Sequence, residues 1–376
     1  MTRIYLDHAA TSPMAEEVIE VYTAEMKEVF GNPSSIHQTG RKARKKVDDA
    51  RTILAKSIGA HETEITITSG GTEADNYAVF GTAYARKNEG NHIITTQIEH
   101  HAVLHACEQL EKDGFEVTYL PVDKNGLISI NDLKNSLRED TILVSVMYAN
   151  NEVGVIQPIV EIGELLKDHP AYFHTDAVQA YGSLSIDVIT SHIDLLSVSS
   201  HKINGPKGIG FLYQRKGILL KPIFYGGQQE RKKRAGTENV PAIVAFAKAV
   251  QLKQTTFTNG NLEYNQLKQV FLSELERLKV PFQVNGSQES VLPHVVNISI
   301  PNTDVETFLV QLDLAGIDAS SGSACTAGSI DPSHVLVAMY GGSTPELRNS
   351  VRFSFGLNNT EEQVLEAANK ISKIVL

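Results

Sequence analysis

Short apolar runs alternate with amphipathic stretches along the first two-thirds of the chain. Ile65-Thr66-Ile67-Thr68 is β-branched and ends on the turn Ser69-Gly70-Gly71-Thr72, which predicts a strand and then a helix from Glu73 onward. Asn91–Thr96 predicts a strand ahead of the helical stretch Ala102–Asp113, and Thr141–Tyr148 predicts a strongly apolar strand. A helix over Ile159–Lys167 leads to a strand at Tyr172–Thr175, and Leu195–Ser199 and Gly210–Tyr213 predict two more strands around a Gly-rich turn. Apolar strands alternating with helices imply a mainly parallel sheet covered on both faces. Near Pro241 the texture changes. A long helical pattern runs from Val244 to Leu278, followed by strand-like Val295–Ile300 and Val351–Phe355 with helices between and after, which predicts a second domain.

Composition narrows the picture. A chain of 376 residues is long enough for one large core and a smaller lobe. Its 41% hydrophobic and 21% charged residues are ordinary for a globular protein. No apolar run is long enough for a bilayer, and Met1–Asp7 has no signal-peptide core, so a cytoplasmic protein without a membrane partner is expected. Two cysteines argue against a disulfide scaffold and suit a reducing compartment. A net charge of −10 disfavours direct nucleic-acid binding. The run Glu230-Arg231-Lys232-Lys233-Arg234 reads first as a solvated loop.

Four segments carry candidate chemistry. The turn Ser69–Glu73 between a strand and a helix is a potential anion site, with backbone N–H groups at a helix start and a hydroxyl on Thr72; alone it reads equally well as a tight turn. It is neither a dinucleotide fingerprint nor a Walker A loop. Asp176, in His174-Thr175-Asp176-Ala177-Val178-Gln179, follows an apolar strand at the sheet edge where ligands bind, though a helix N-cap is the simpler reading. Lys202, in Ser199-Ser200-His201-Lys202, ends a buried strand before a Gly-rich turn, a setting that suits a Schiff-base lysine but also an ordinary surface lysine. Ser320–Ser329 is small, polar and Gly-containing, so Cys325 is expected on an exposed, mobile loop as a candidate nucleophile. Cys107 shares a helical face with Val103, Ala106 and Leu110 and reads as core. His101 and His105 are four apart, but no Glu follows His101 and no third ligand is evident nearby, so no structural metal site is expected.

Together these segments resemble the cysteine desulfurases of the NifS/IscS type, in the class V aminotransferase group of fold-type I pyridoxal 5'-phosphate (PLP) enzymes. The matching stretches span nearly the whole chain: Tyr5–Thr11, Gly31–Ser35, Ser69–Asn76, Glu99-His100, Asn150–Glu152, Asp176–Gln179, Ser199–Lys202, Arg234–Thr237, Ser321–Cys325 and Val351–Ser354. The resemblance implies an α/β fold with a mainly parallel seven-stranded sheet in a large domain, 16–250, and a smaller α+β domain formed by 1–15 with 251–376. It implies that Lys202 holds PLP as a Schiff base, that Asp176 pairs with the pyridine nitrogen and that His100 stacks on the ring and shuttles protons. Asn151 and Gln179 would bond the ring oxygen and nearby groups. Gly71, Thr72, Ser199 and His201 would bind the phosphate, joined by Thr237 from the partner subunit of a homodimer. Arg352, with Asn151, would bind the substrate L-cysteine.

The activity so implied converts L-cysteine to L-alanine and leaves the sulfur as a persulfide on Cys325, for delivery to an acceptor protein. That acceptor would be an iron–sulfur scaffold, where Cys325 transiently contacts a cluster, a tRNA-thiolation enzyme or a thiamine-pathway (thio-cofactor) protein. The length of Ser320–Pro332 resembles the group that delivers sulfur directly, while Gln228-Gln229 and Arg231–Arg234 depart from the more Gly/His-rich family stretch. A selenocysteine lyase or another class V transaminase is the alternative within the same fold.

Overall fold

The computed structural model describes residues 3–322 and 332–376. Its strands are β1 (Ile4–Tyr5), β2 (Ile65–Thr68), β3 (His92–Thr96), β4 (Glu116–Leu120), β5 (Thr141–Ser145), β6 (Tyr172–Asp176), β7 (Leu195–Ser199), β8 (Gly210–Gln214), β9 (Gln283–Val284), β10 (Val295–Ser299), β11 (Ile317–Asp318) and β12 (Ser350–Ser354). Seven of them form one sheet in the order β2-β8-β7-β6-β5-β3-β4. The pairs from β7 through β6, β5 and β3 to β4 are parallel, whereas β8 runs antiparallel to both β2 and β7. The short Gly-rich link between β7 and β8 contains no crossover helix, and a parallel return needs one.

Most of this sheet is buried on both faces, which explains its near-continuous apolar strands. The edge strand β4 is largely exposed or half-buried and mixes Glu116, Thr118 and Tyr119 with Val117, and the hydrophobic pattern does not reveal it. The strand expected over Thr141–Tyr148 stops at Ser145. Beyond it the amides of Val146 and Tyr148 still bond to the carbonyls of His174 and Asp176 at 3.1 and 2.8 Å, so the chain follows β6 while leaving the regular ladder.

Two apolar cores lie along the long helix Val240–Arg277. Its first half, including Val240, Phe246 and Val250, packs into the large core with Val144, Phe173, Val198 and Phe211. Its second half, with Leu267, Phe271 and Leu275, joins a smaller core that includes Ile4, Leu6, Ile298, Phe353 and Phe355. β1 pairs with β11, and β12-β10-β9 forms an antiparallel sheet. The N-terminal segment is therefore packed with the last third of the chain.

The acidic and basic run at 230–234 is only in part the solvated loop its charge suggests: Arg231 and Lys232 are exposed, but its ends are anchored. Glu230 is buried and receives Arg51 in a bidentate pair, Nη1 to Oε2 and Nη2 to Oε1, each at 2.7 Å. The amide of Ile67 donates to the same carboxylate at 2.9 Å. Glu230, Arg231 and Lys232 all take left-handed backbone, with φ of 48, 56 and 68°. None is glycine, so the turn is strained and its anchors hold it.

Candidate active site

In an open α/β sheet the carboxyl ends of the strands form the ligand crevice. Here β6 ends on Asp176, β7 ends on Ser199 before a tight turn through Lys202, and β2 leads through Ser69-Gly70 into the helix Gly71–Arg86. These ends enclose a cavity of about 210 Å³. Gly71, Thr72, His100, Asn151, Asp176, Gln179, Ser199, His201, Lys202 and Arg352 line it, together with Ala9, Ala10, Asp75, Met147 and Val178. The sequence-predicted site residues thus meet in one place, with two exceptions. Thr237 is exposed and does not line the cavity. Cys325 lies outside the described residues.

The helix start is shaped for an anion. Gly70 has φ of 148°, and a Cβ on Gly71 would lie 2.8 Å from Val178 Cγ2. Only glycine permits this approach, which brings unpaired helix N–H groups and the positive end of the dipole to the cavity wall. His201 Nδ1 shares a hydrogen bond with Thr11 Oγ1 at 3.0 Å, so the N-terminal segment fixes that ring.

Lys202 Nζ donates to the carbonyls of Ala9 and Ala10, the latter at 2.9 Å. Gln179 Nε2 donates to the same Ala9 carbonyl at 2.9 Å. Asp176 does accept a cap-like bond, from the Val178 amide at 2.9 Å, but it is the last residue of β6 and its side chain faces the cavity. Burial pushes its carboxyl up to about 6, opposed by the Val178 N–H and the Lys202 charge. Asp75 is pushed well above the usual carboxylate range by burial and by the Asp176 charge. Burial thus penalises charge on both carboxyls, while the Val178 N–H and the Lys202 charge favour the ionised form of Asp176.

His100 caps the helix His101–Lys112, its Nδ1 accepting the Ala102 amide at 3.1 Å. That bond places the ring proton on Nε2. Burial, then the charges of Lys202, His101, His334 and His105, lower its pKa to about 4, so the ring is neutral at pH 7. Arg352, on β12, is 1% exposed. Its Nη1 donates to the Asn151 carbonyl at 2.8 Å and its Nη2 to Asp7 Oδ1 at 2.7 Å. Its Nε is buried with no partner in the described structure.

Three carboxyls around this site, the half-buried Asp7 and the buried Asp75 and Glu99, escaped sequence reasoning. Asp7 orients Arg352 and also receives Ser320 Oγ at 2.7 Å. Glu99 accepts Thr96 Oγ1 and the Met147 amide, each at 2.8 Å, and burial pushes it up to about 8. The signal for Asp7, Asp75 and Glu99 is their place inside the quoted motif stretches. A third imidazole does stand near His101 and His105, because the His334 ring lies 4.7 Å from that of His101. The His101 and His105 rings stack at 5.0 Å, and His334 Nε2 is engaged by the Glu99 carbonyl at 2.9 Å. Among the described residues no group of three or more His, Cys, Asp or Glu is placed to hold a metal.

The cavity fits PLP on its own geometry. It combines a helix start for a phosphate, a buried carboxylate for a heterocyclic N–H, a lysine, a neutral imidazole and a buried guanidinium with a spare donor. Comparisons with known proteins agree. The family model described as Aminotransferase class-V matches residues 4–366. The chain is 60% identical over 375 residues to a putative cysteine desulfurase IscS 1 of Bacillus subtilis (strain 168), covering 100% of this chain and 99% of the relative. It is 48% identical to a cysteine desulfurase IscS of Methanosarcina thermophila, covering 99% and 92%. A solved NifS-like protein superposes with a TM-score of 0.93 at 35% identity, covering 99% of each chain. The structure of SspA in complex with cysteine gives a TM-score of 0.84 at 37% identity, covering 94% of this chain and 99% of that one.

Proposed function

The chain belongs to the aminotransferase class-V family, among the cysteine desulfurases of the IscS/NifS type, and from that premise we propose how its residues divide the work of removing sulfur from free L-cysteine. The enzyme is PLP-dependent, and L-alanine is the carbon product. The observation that carries the assignment is a single cavity holding Lys202, Asp176, His100 and Arg352.

Bound PLP supplies an electron sink that makes the substrate Cα–H acidic and loosens its Cβ–S bond. Lys202 would hold the cofactor, and its amine would take the Cα proton and return a proton to the product. Asp176 would pair with the ring nitrogen. Gly71, Thr72, Ser199 and His201 would hold the phosphate, and Asn151 and Gln179 would bond the ring oxygen and nearby groups. His100 would stack on the ring. The Cys325 thiol, with a reference pKa of ~8.5, would need a base, either the neutral His100 ring or the substrate's own thiol. Cys325, as thiolate, attacks the substrate sulfur. The S–S bond forms as the Cβ–S bond breaks, so Cys325 becomes a persulfide and the carbon skeleton leaves as alanine.

The finer reading extends this outward. The two cores act as domains 16–250 and 1–15 with 251–376. Two copies form a homodimer in which Thr237 reaches the phosphate of the other copy, which accounts for its exposure outside its own cavity. The persulfide passes in the cytoplasm to an acceptor protein, an iron–sulfur scaffold or a tRNA-thiolating enzyme. Among the described residues no helix is long and apolar enough to cross a membrane. The direct test is incubation of the PLP-loaded protein with L-cysteine and a reductant. Alanine and sulfide are expected in equal amounts, and loaded protein that makes no alanine overturns the reading.

Arg352, which lines the cavity with its fork held by the Asn151 carbonyl and Asp7, clamps the substrate carboxylate. In Arg352→Lys the charge facing Asp7 survives but the planar fork is lost. The KM for L-cysteine is expected to rise about tenfold or more, as for a lost charge-assisted bond of roughly 1.5–3 kcal/mol. Steady-state kinetics check this, and an unchanged KM rejects the clamp.

A further inference from the structure

Glu73 raises an electrostatic problem. It lies in the first turn of the helix Gly71–Arg86, beside the amides that line the cavity, and it is 8% exposed. Its Oε2 accepts the Ser69 amide at 2.8 Å, so the carboxylate is tied to the turn that leads into the phosphate cradle. Burial pushes this carboxyl up, but bonds from Arg234 and Ser69 outweigh burial and hold it below its ordinary value. An ionised carboxylate in this place opposes a second anion at the same helix end.

The structure resolves the problem from far along the chain. Arg234 Nε donates to Glu73 Oε1 at 2.8 Å, and Arg234 Nη2 donates to Oε2 at 3.0 Å. Arg234 is set by the strained turn before it, which the Arg51–Glu230 pair anchors, and by Tyr77 OH, which donates to the Lys233 carbonyl at 2.7 Å. Neither Glu73 nor Arg234 lines the cavity, so neither is placed to touch the cofactor. We propose that Arg234 is a positioning residue for the cofactor phosphate: paired bidentately with Glu73, it cancels that charge beside the helix start and holds the Ser69–Thr72 turn open to a dianion. The inference rests on the PLP reading of the cavity.

The test compares PLP with pyridoxal, which lacks the phosphate, binding to cofactor-free protein by equilibrium dialysis. Arg234→Gln is expected to weaken PLP binding about tenfold, the scale of one uncompensated charge nearby, and to leave pyridoxal binding within about twofold. Adding Glu73→Gln removes the charge that needed cancelling, and the double variant is expected to recover PLP binding to within about threefold of the parent. Glu73→Gln alone keeps both partners and is expected to bind PLP at least as tightly as the parent. An Arg234→Gln variant that weakens PLP and pyridoxal equally, a double variant no better than Arg234→Gln, or a weaker Glu73→Gln overturns the proposal. If Arg234→Gln does not fold, the other two variants decide it. A parent protein that binds neither compound overturns the cofactor reading instead.

Discussion

Lys202→Ala is expected to lower alanine formation from L-cysteine by at least about a thousandfold, within the range that a positioned acid–base group contributes. The geometry singles out this amine. Lys202 is held at the sheet edge by the turn after β7, and its Nζ is aimed at the Ala9 and Ala10 carbonyls inside the cavity. The other titratable groups in the cavity are ill suited to the task. Asp176 would be engaged by the ring nitrogen, burial and the Asp176 charge push Asp75 well above the usual carboxylate range, and His100, with a pKa of about 4, is a weak base for a carbon acid. The variant should retain noncovalent PLP, because the helix start, Asp176, Ser199 and His201 remain. Two measurements check the assignment: alanine quantification, and exchange of the substrate Cα hydrogen in deuterated water. Alanine made at the parent rate would show that Lys202 is not the base.

The sheet and most of the cavity were legible because their signals are local. β2 and the Gly70-Gly71 turn announce themselves in one stretch, as do β7 and Lys202, and strand-end residues of a mainly parallel sheet must share one edge. Features made by distant pairs were not legible. Nothing near Glu230 reveals that Arg51 neutralises it, and nothing near His101 reveals that His334 packs beside it. The early end of β5 has the same origin, since Val146 and Tyr148 keep bonds to β6 while the loop that carries Asn151 departs. Asp7 and Arg352 are likewise 345 residues apart, joined only because the N-terminal segment packs with β12. Thr237 shows the limit of a single chain, because the role the resemblance implies for it would lie in another copy's cavity.

Cys325→Ala should abolish sulfur release, to below about one-hundredth of the parent rate, while the protein stays loaded with PLP and still exchanges the substrate Cα hydrogen. The argument begins with the other cysteine. The sequence has two, and Cys107 is 0% exposed among Val103, Leu110 and Phe115, its thiol pushed far up by burial. A thiol so placed is neither ionised nor reachable, so it cannot accept sulfur. All protein-thiol chemistry therefore falls to Cys325. In the proposed mechanism proton abstraction falls to Lys202 and binding to Arg352, and neither needs the Cys325 sulfur, so the variant should stop after the first half of the cycle. Sulfide and alanine assays together with Cα exchange separate these halves. Alkylation of the parent before substrate should give the same arrest and label Cys325 but not Cys107. Undiminished sulfide release from Cys325→Ala would mean that the sulfur leaves without a protein persulfide, and the carrier role would fall while the PLP chemistry stood.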